Sequence, residues 1–437
     1  MFLLCAGFPN ELDCRPPHLL EQRYRSHAVS VGAIQLAWLE DGYTSCSQDE
    51  SEVRISLADP NGGTTAVVIW KIGSSRFVVT RPWPGYHSIY IREGRSLVVA
   101  SHLKMLDGLM LQSSPLPKQL PAGVTRVIDS GKTGYVGTDI REPLFNRRAP
   151  HSLTDAARSA RLVLVKAMRA APEDAALLLS GGIDSSALAV AARLAGRSPQ
   201  TFTFGTILAQ RNDISKSDMI AARRVARHLS LPHEEIIVDQ KQIVENAVPA
   251  VFASELHRGT FVDDAVVYLE VAKTLSMSGV RTVLVGEAGD DCFGCFPSML
   301  RFYRGHALQS KLRRELLVGS PNDYAAIQKI FSFFGIRIID PFLSLAVARL
   351  GYCLPLDMRI DQQRLMKPVL RRAFASDLPP EIVSREKHVS RDVSGVRETM
   401  VESLGSGRNR YLKTFKDLFR NGGSAAHQAL ALAALNA

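Results

Sequence analysis

The residues whose types and spacing speak most directly of chemistry lie at 177–186, LLLSGGIDSS. A continuous apolar run leads into this segment and a helix-forming run, residues 185–194, leads out of it. Such a strand-to-helix turn aims backbone N–H groups and the positive end of a helix at one point, which suits an anion. Gly181 and Gly182 let the main chain approach that anion, and Ser180, Ser185 and Ser186 add hydroxyl donors. Asp184 alone would repel a phosphate, so its place in the turn makes sense as a ligand to a Mg²⁺ that bridges to the phosphate. The plainer alternative is a capped helix start, but seven residues of suitable type in this context favour phosphate handling. A Walker A loop is excluded, because its terminal Gly-Lys followed by Ser or Thr is not here.

The elements around the loop read as an α/β layer. Residues 175–179, 201–204, 235–238 and 282–285 are apolar strands, and 185–194, 217–229 and 267–276 are helices between them. Uniformly apolar strands alternating with amphipathic helices imply a parallel sheet covered on both faces. From about residue 300 the chain reads as largely helical. Residues 1 to about 140 have a different pattern. Short β-rich runs at 76–80, 88–92 and 96–100, separated by Pro82, Pro84, Gly85 and Gly94, predict antiparallel sheet. A polar, Pro-containing linker spans 141–152, and Ser152 or Thr154 is placed to cap the helix that follows. The expected domains are therefore 1–141, β-rich, and 152–437, built on the parallel sheet and finished by helices.

Composition narrows the class. The chain has 437 residues, 46% of them hydrophobic and 22% charged, as in a soluble globular enzyme rather than a disordered chain. No apolar run reaches the ~18–20 residues that span a bilayer, so no membrane is expected. The opening run 2–8 is short and has no basic residue before it, and reads as a buried strand rather than a signal peptide. Six scattered cysteines are too few for a disulfide framework in so long a chain, which predicts a cytoplasmic location with reduced thiols. Cys292 and Cys295 form a CxxC without a second CxxC or an HxxxH partner, so a metal or redox role is disfavoured. The net charge is +10, with basic clusters at Arg301, Arg304, Lys311, Arg313 and Arg314, and at Arg364, Lys367, Arg371 and Arg372. Solvated helix faces are the expected reading. An acidic peptide or RNA is the sharper one, but only Phe302 and Tyr303 interleave with the charges, which disfavours nucleic acid.

Three further blocks sharpen the reading of the loop: VLVGEAGDDCFGCF at 283–296, PFLS at 341–344, and KPVLRRAFASDLPPEIVSREK at 367–387. With the loop, in this order, they resemble the asparagine synthetase-like group of ATP-pyrophosphatases over residues 150–397, and less closely over 75–123. The resemblance implies ATP and Mg²⁺ as cofactors, with Asp184 and Asp290 as the two Mg²⁺ ligands. It implies that Glu287 deprotonates or orients an attacking amine, that Lys387 stabilises charge as an adenylate forms and collapses, and that Gly286 and Phe204 line the adenine pocket. It also implies a degenerate glutaminase-like fold for residues 1–141. Phe2 follows Met1 where glutamine-using members expose a cysteine, and Cys5 is not at the chain start, so loss of glutaminase chemistry is the expectation. Ser344 replaces the family's Asp and Cys295 a Gly.

The implied activity is a carbon–nitrogen ligase that adenylates a carboxylate, releases pyrophosphate, and joins the acyl group to an amine with release of AMP. Glutaminase-deficient members include lasso-peptide macrolactam synthetases and β-lactam synthetases, and the lasso type is the leading expectation. Its partners would be a peptide or small-molecule carboxylate, a precursor peptide and a leader-processing protease. An ammonia-dependent asparagine synthetase, an RNA-modifying ATP-pyrophosphatase and a non-catalytic partner protein are the alternatives.

Overall fold

The computed structural model describes residues 1–6, 20, 24–31, 34–39, 44–58, 64–72, 74, 76–106, 117–131, 134–141, 149–206, 217–256, 259–294, 299–361, 365–386, 401–402 and 412–419. Contacts divide the chain into two units. One comprises Met1–Pro143, Val248–Val262 and Arg408–Ala437, the other Leu144–Ala247 and Asp263–Gly407.

The first unit is built on antiparallel sheet. Its strands are β1 (Phe2–Ala6), β2 (Ser26–Val31), β3 (Ile34–Leu39), β4 (Thr44–Gln48), β5 (Glu52–Ala58), β6 (Thr64–Lys71), β7 (Arg76–Arg81), β8 (Tyr90–Arg92), β9 (Leu97–Ala100), β10 (Lys118–Gln119), β11 (Val124–Gly131) and β12 (Gly134–Arg141). They form two six-stranded sheets, ordered β10-β8-β9-β1-β3-β2 and β12-β11-β7-β6-β5-β4. The period of two does the sorting. In β5, Val53, Ile55 and Leu57 point inward, and in β7 Phe77 and Val79 do the same. They meet Phe2, Leu4, Leu36, Leu97 and Val99 of the other sheet in one apolar core. Residues 2–6 of the opening run form β1, buried throughout, and the runs expected at 76–80, 88–92 and 96–100 contain β7, β8 and β9 in whole or in part.

A buried ion pair fastens the second segment of this unit to the first. The Lys104 ammonium donates to the Ala253 carbonyl at 3.1 Å and lies 3.5 Å from Glu255 Oε1. The Lys104 amide donates to the same carboxylate oxygen at 3.0 Å, and the ammonium sits 5.4 Å from the centre of the Phe252 ring. Glu255 holds a left-handed backbone, φ +59°.

The second unit carries the parallel sheet. Its strands are β13 (Ala176–Leu178), β14 (Thr201–Gly205), β15 (His233–Ile237), β16 (Thr282–Leu284) and β17 (Arg337–Ile339), ordered β15-β14-β13-β16-β17 and all parallel. From β13 the chain winds outward through β14 to β15, then returns to the other side of β13 for β16 and β17. The order therefore reverses between β13 and β16, and the loops leaving their carboxyl ends flank a crevice. The helices used below are α1 (Leu153–Ala170), α2 (Ile183–Leu194), α3 (Asp218–His228), α4 (Gly259–Met277), α5 (Gly289–Phe293), α6 (Ser320–Ser332), α7 (Leu345–Cys353) and α8 (Pro368–Phe374). Ser152 caps α1 by accepting from the Asp155 amide.

One expectation gains a detail and one needs correction. The region after residue 300 is largely helical, yet β17 extends the sheet there; its three residues draw their ladder from β16, a partner that local periodicity cannot reveal. The second basic cluster is not a solvated helix face throughout. Lys367 and Arg371 are buried, because each finds partners on other segments. Among the described residues, no helix is long and apolar enough to cross a membrane.

Candidate active site

The phosphate-type loop sits where the sequence predicts it, between β13 and the N-terminus of α2. Gly181 has φ +69°, and a Cβ there would lie 2.4 Å from the backbone of Ala221 and Ala222 in α3. This glycine is thus required by the packing of α3 against the loop. Ser180 and Ser185 face one another, Oγ to Oγ at 3.0 Å, and the Ser180 amide donates to Ser185 Oγ at 3.1 Å. The hydroxyl of Gly182's neighbour Ser180 also accepts from the Gly182 amide at 3.3 Å. The Ser186 hydroxyl is buried without a hydrogen-bond partner. Asp184 lies in the first turn of α2, where the helix end favours its negative charge.

The second loop leaves β16. It carries Gly286, Glu287 and, in the one-turn α5, Asp290 and Asp291. It runs against the first loop so closely that a Cβ on Gly289 would stand 2.6 Å from the Asp184 carboxyl carbon. Asp340, just past β17, fixes it in place. One carboxylate oxygen accepts from the Ala288 amide at 2.8 Å and the other from the Phe342 amide at 2.9 Å. Burial pushes the Asp340 carboxyl up to about 8, helped by the Glu287 and Asp184 carboxylates and opposed by those two amides. Burial likewise raises Asp291 to about 7, against a hydrogen bond from Ser320.

The two loops share a cation. Lys367 is buried, and its ammonium pairs with Asp184 Oδ2 and lies 2.6 Å from Asp290 Oδ1. It sits in a left-handed conformation, φ 65°, directly before Pro368 at the start of α8. Gly294 leaves room for its stem, since a Cβ there would be 2.9 Å from Lys367 Cγ. Arg359, also buried, anchors the surrounding turns. Its guanidinium donates to the carbonyls of Asp291, Gly294 and Gly351, and the Lys367 amide donates to the Arg359 carbonyl at 2.8 Å. Arg371 holds the carbonyls of Met366, Val383 and Arg385.

Glu287 is exposed and accepts a hydrogen bond from the Tyr268 hydroxyl in α4. Phe204, half-buried at the end of β14, stands edge-on to the Tyr268 ring at 5.7 Å. A Cβ added at Gly286 would meet Leu188, Phe342 and Asp184 at 3.4–3.7 Å. Ser344 precedes α7, its hydroxyl buried and without a hydrogen bond. Cys292 is buried and donates to the Phe342 carbonyl. Lys387 and Cys295 lie outside the described residues.

Asp184, Asp290 and Lys367 thus come together from three separated segments, with Glu287 on the loop between. Sequence reasoning missed the place of Lys367, treating it as one charge among several, although it opens a motif block and precedes a proline. It also missed Tyr268, Asp340 and Arg359, which carry no local signal. The donor set fits a Mg²⁺ that arrives with phosphates. Asp184 Oδ1 is buried without a hydrogen bond, both side chains are hard oxygen donors, and such a metal takes one or two carboxylates beside phosphate oxygens. Among the described residues no group of three or more His, Cys, Asp or Glu is arranged to hold a metal by itself.

Comparison with known proteins supplies relatives. The asparagine synthase family matches residues 160–329. Asparagine synthetase B (glutamine-hydrolysing) of Escherichia coli strain K12 is 25% identical over 241 residues, covering 52% of this chain and 42% of the relative. A carboxyethyl-arginine β-lactam synthase of Streptomyces clavuligerus is 31% identical over 292 residues, covering 65% of this chain and 54% of the relative. The chain therefore spans about half the length of these relatives. A solved NMN synthetase from Francisella tularensis aligns with a TM-score of 0.30 at 15% identity, over 66% of this chain and 92% of that one, too low a score to carry an argument.

Proposed function

We propose, from the match of residues 160–329 to the asparagine synthase family and the similarity to the relatives above, that this chain is an ATP-dependent, AMP-forming amide ligase. The observation that carries this reading is the convergence of Asp184 and Asp290 on the buried Lys367, beside a helix N-terminus, at the reversal of the strand order. A substrate carboxylate attacks the α-phosphorus of ATP. The leaving pyrophosphate is gripped by the backbone N–H groups of 180–182, the hydroxyls of Ser180, Ser185 and Ser186, and the Lys367 ammonium. Mg²⁺, held by Asp184 and Asp290, would offset charge on the pyrophosphate. Gly286 and Phe204 would border the adenine.

An amine then attacks the acyl carbon. The C–N bond forms as the bond from that carbon to the AMP phosphate oxygen breaks, and AMP leaves with the electron pair. Glu287 takes a proton from the incoming ammonium, a contribution of roughly 10²–10⁴-fold for a positioned base. Lys387 is assigned the charge that grows on the adenylate as it forms and collapses.

Within this class we favour ring closure inside one substrate, because holding acid and amine on one molecule supplies much of the barrier reduction. A peptide macrolactam of the lasso type is the first reading, with a precursor peptide and its leader-processing protease as partners. The β-lactam type is the second, favoured by the 31% identical relative. The test is ATP–pyrophosphate exchange with a panel of carboxylates, followed by mass analysis for loss of one water from the exchanging substrate. Exchange with aspartate, and asparagine formed from added ammonia, would overturn ring closure. No exchange with any acid would overturn the ligase reading.

A further inference from the structure

Glu287 is an exposed side chain on the loop after β16, whose next residue, Ala288, is held through its amide by Asp340. Tyr268 holds the Glu287 carboxylate itself. It lies in the middle of the long helix α4, is buried, and is wedged between Phe204 at 5.7 Å and Phe331 of α6 at 5.8 Å between ring centres. Its position is therefore set by packing, and its hydroxyl donates to Glu287 Oε1. We infer that Tyr268 is a positioning residue for Glu287, fixing the carboxylate for the amine-handling half of the reaction and taking no part in adenylation. This rests on the ligase reading above.

The chemistry assigns the roles within the pair. Burial, and the carboxylates that face the phenol (Glu287 from the β16 loop, Asp264 one turn back on α4, Asp340 past β17), raise Tyr268 well above an ordinary phenol. It keeps its proton through the physiological range and acts only as a donor. The proton lost by the substrate ammonium goes to the Glu287 carboxylate and then to solvent, and the Tyr268 O–H bond stays intact throughout. Substrate carboxylate and ATP meet at Lys367 and the phosphate loop, so the first half-reaction does not use this hydrogen bond.

The test is Tyr268→Phe, which keeps the ring between Phe204 and Phe331 and removes only the hydroxyl. Amide formation is expected to fall about 10–100-fold, chiefly in kcat, as for loss of one hydrogen bond to a charged group, while ATP–pyrophosphate exchange changes less than about threefold. Hydroxylamine, already unprotonated at neutral pH, intercepts the adenylate without needing a base, so its trapping rate should be nearly equal in variant and parent. Equal losses in exchange, hydroxylamine trapping and amide formation would show a merely structural residue and overturn the inference, as would an unchanged amide rate. Absence of exchange in the parent protein with every carboxylate would overturn the ligase reading itself and this inference with it.

Discussion

Lys104 in the first unit and Lys367 in the second are both buried ammonium groups that face carboxylates, but they are composed differently. Lys104 faces Glu255, which also accepts from the Lys104 amide, and the Ala253 carbonyl accepts from the ammonium. Lys367 lies between two carboxylates, and Asp184 Oδ1 is buried with no hydrogen bond. A desolvated carboxylate oxygen without a donor is costly, and is kept where a ligand will meet it. The first arrangement ties two segments of the fold together; the second, on the proposed function, awaits a cation and phosphates.

The largest test of this contrast is Lys367→Met. Exchange should fall about a thousandfold, at the upper end of what one electrostatic group contributes, as measured with labelled pyrophosphate. Lys104→Met should do the opposite. It should lower the unfolding free energy by about 3–5 kcal/mol, read from denaturant midpoints, and leave exchange per folded molecule within about twofold. Adding Glu255→Leu to it should recover most of that stability, because a buried pair replaced as a whole costs little. Should Lys104→Met impair exchange in folded protein, the contrast would collapse.

Gly289→Ala comes next. The added carbon falls on the Asp184 carboxyl group, so the two loops must part, and exchange should drop about 10–100-fold with the fold retained by circular dichroism. The smallest effect is one of pH. Asp340 has an ordinary value of 3.8 and a folded value of about 8. Between these the folded protein holds a proton that the unfolded chain releases. Stability therefore declines as pH rises from about 4 to about 8 and levels off above that. Urea midpoints across this window should show the slope, and Asp340→Asn should reduce it.

What was legible in the sequence was local. The loop at 180–186 and the strands beside it were placed to within a residue or two, because apolar runs and glycine pairs report their own structure. Block 283–296 was recognised, and its Asp290 shares the Lys367 ammonium with Asp184. Lys367 was not, because its surroundings are Arg364, Arg371 and Arg372, the pattern of a wet helix face. Its burial is decided by Asp184, 183 positions earlier in the chain. Tyr268 reads as one apolar residue in an apolar helix, and only the fold shows that its hydroxyl reaches Glu287. Asp340 precedes a Pro-Phe-Leu turn and reads as its cap, which it is; its second task, holding Ala288, depends on β17 pairing with β16.

The separation of Asp184, Asp290 and Lys367 along the chain also orders events during synthesis. A ribosome releases the two acidic loops well before the lysine. Until residue 367 has emerged, Asp184 and Asp290 are without the ammonium that pairs with both in the folded chain. The segment that ties the two acidic loops together is thus made after both of them.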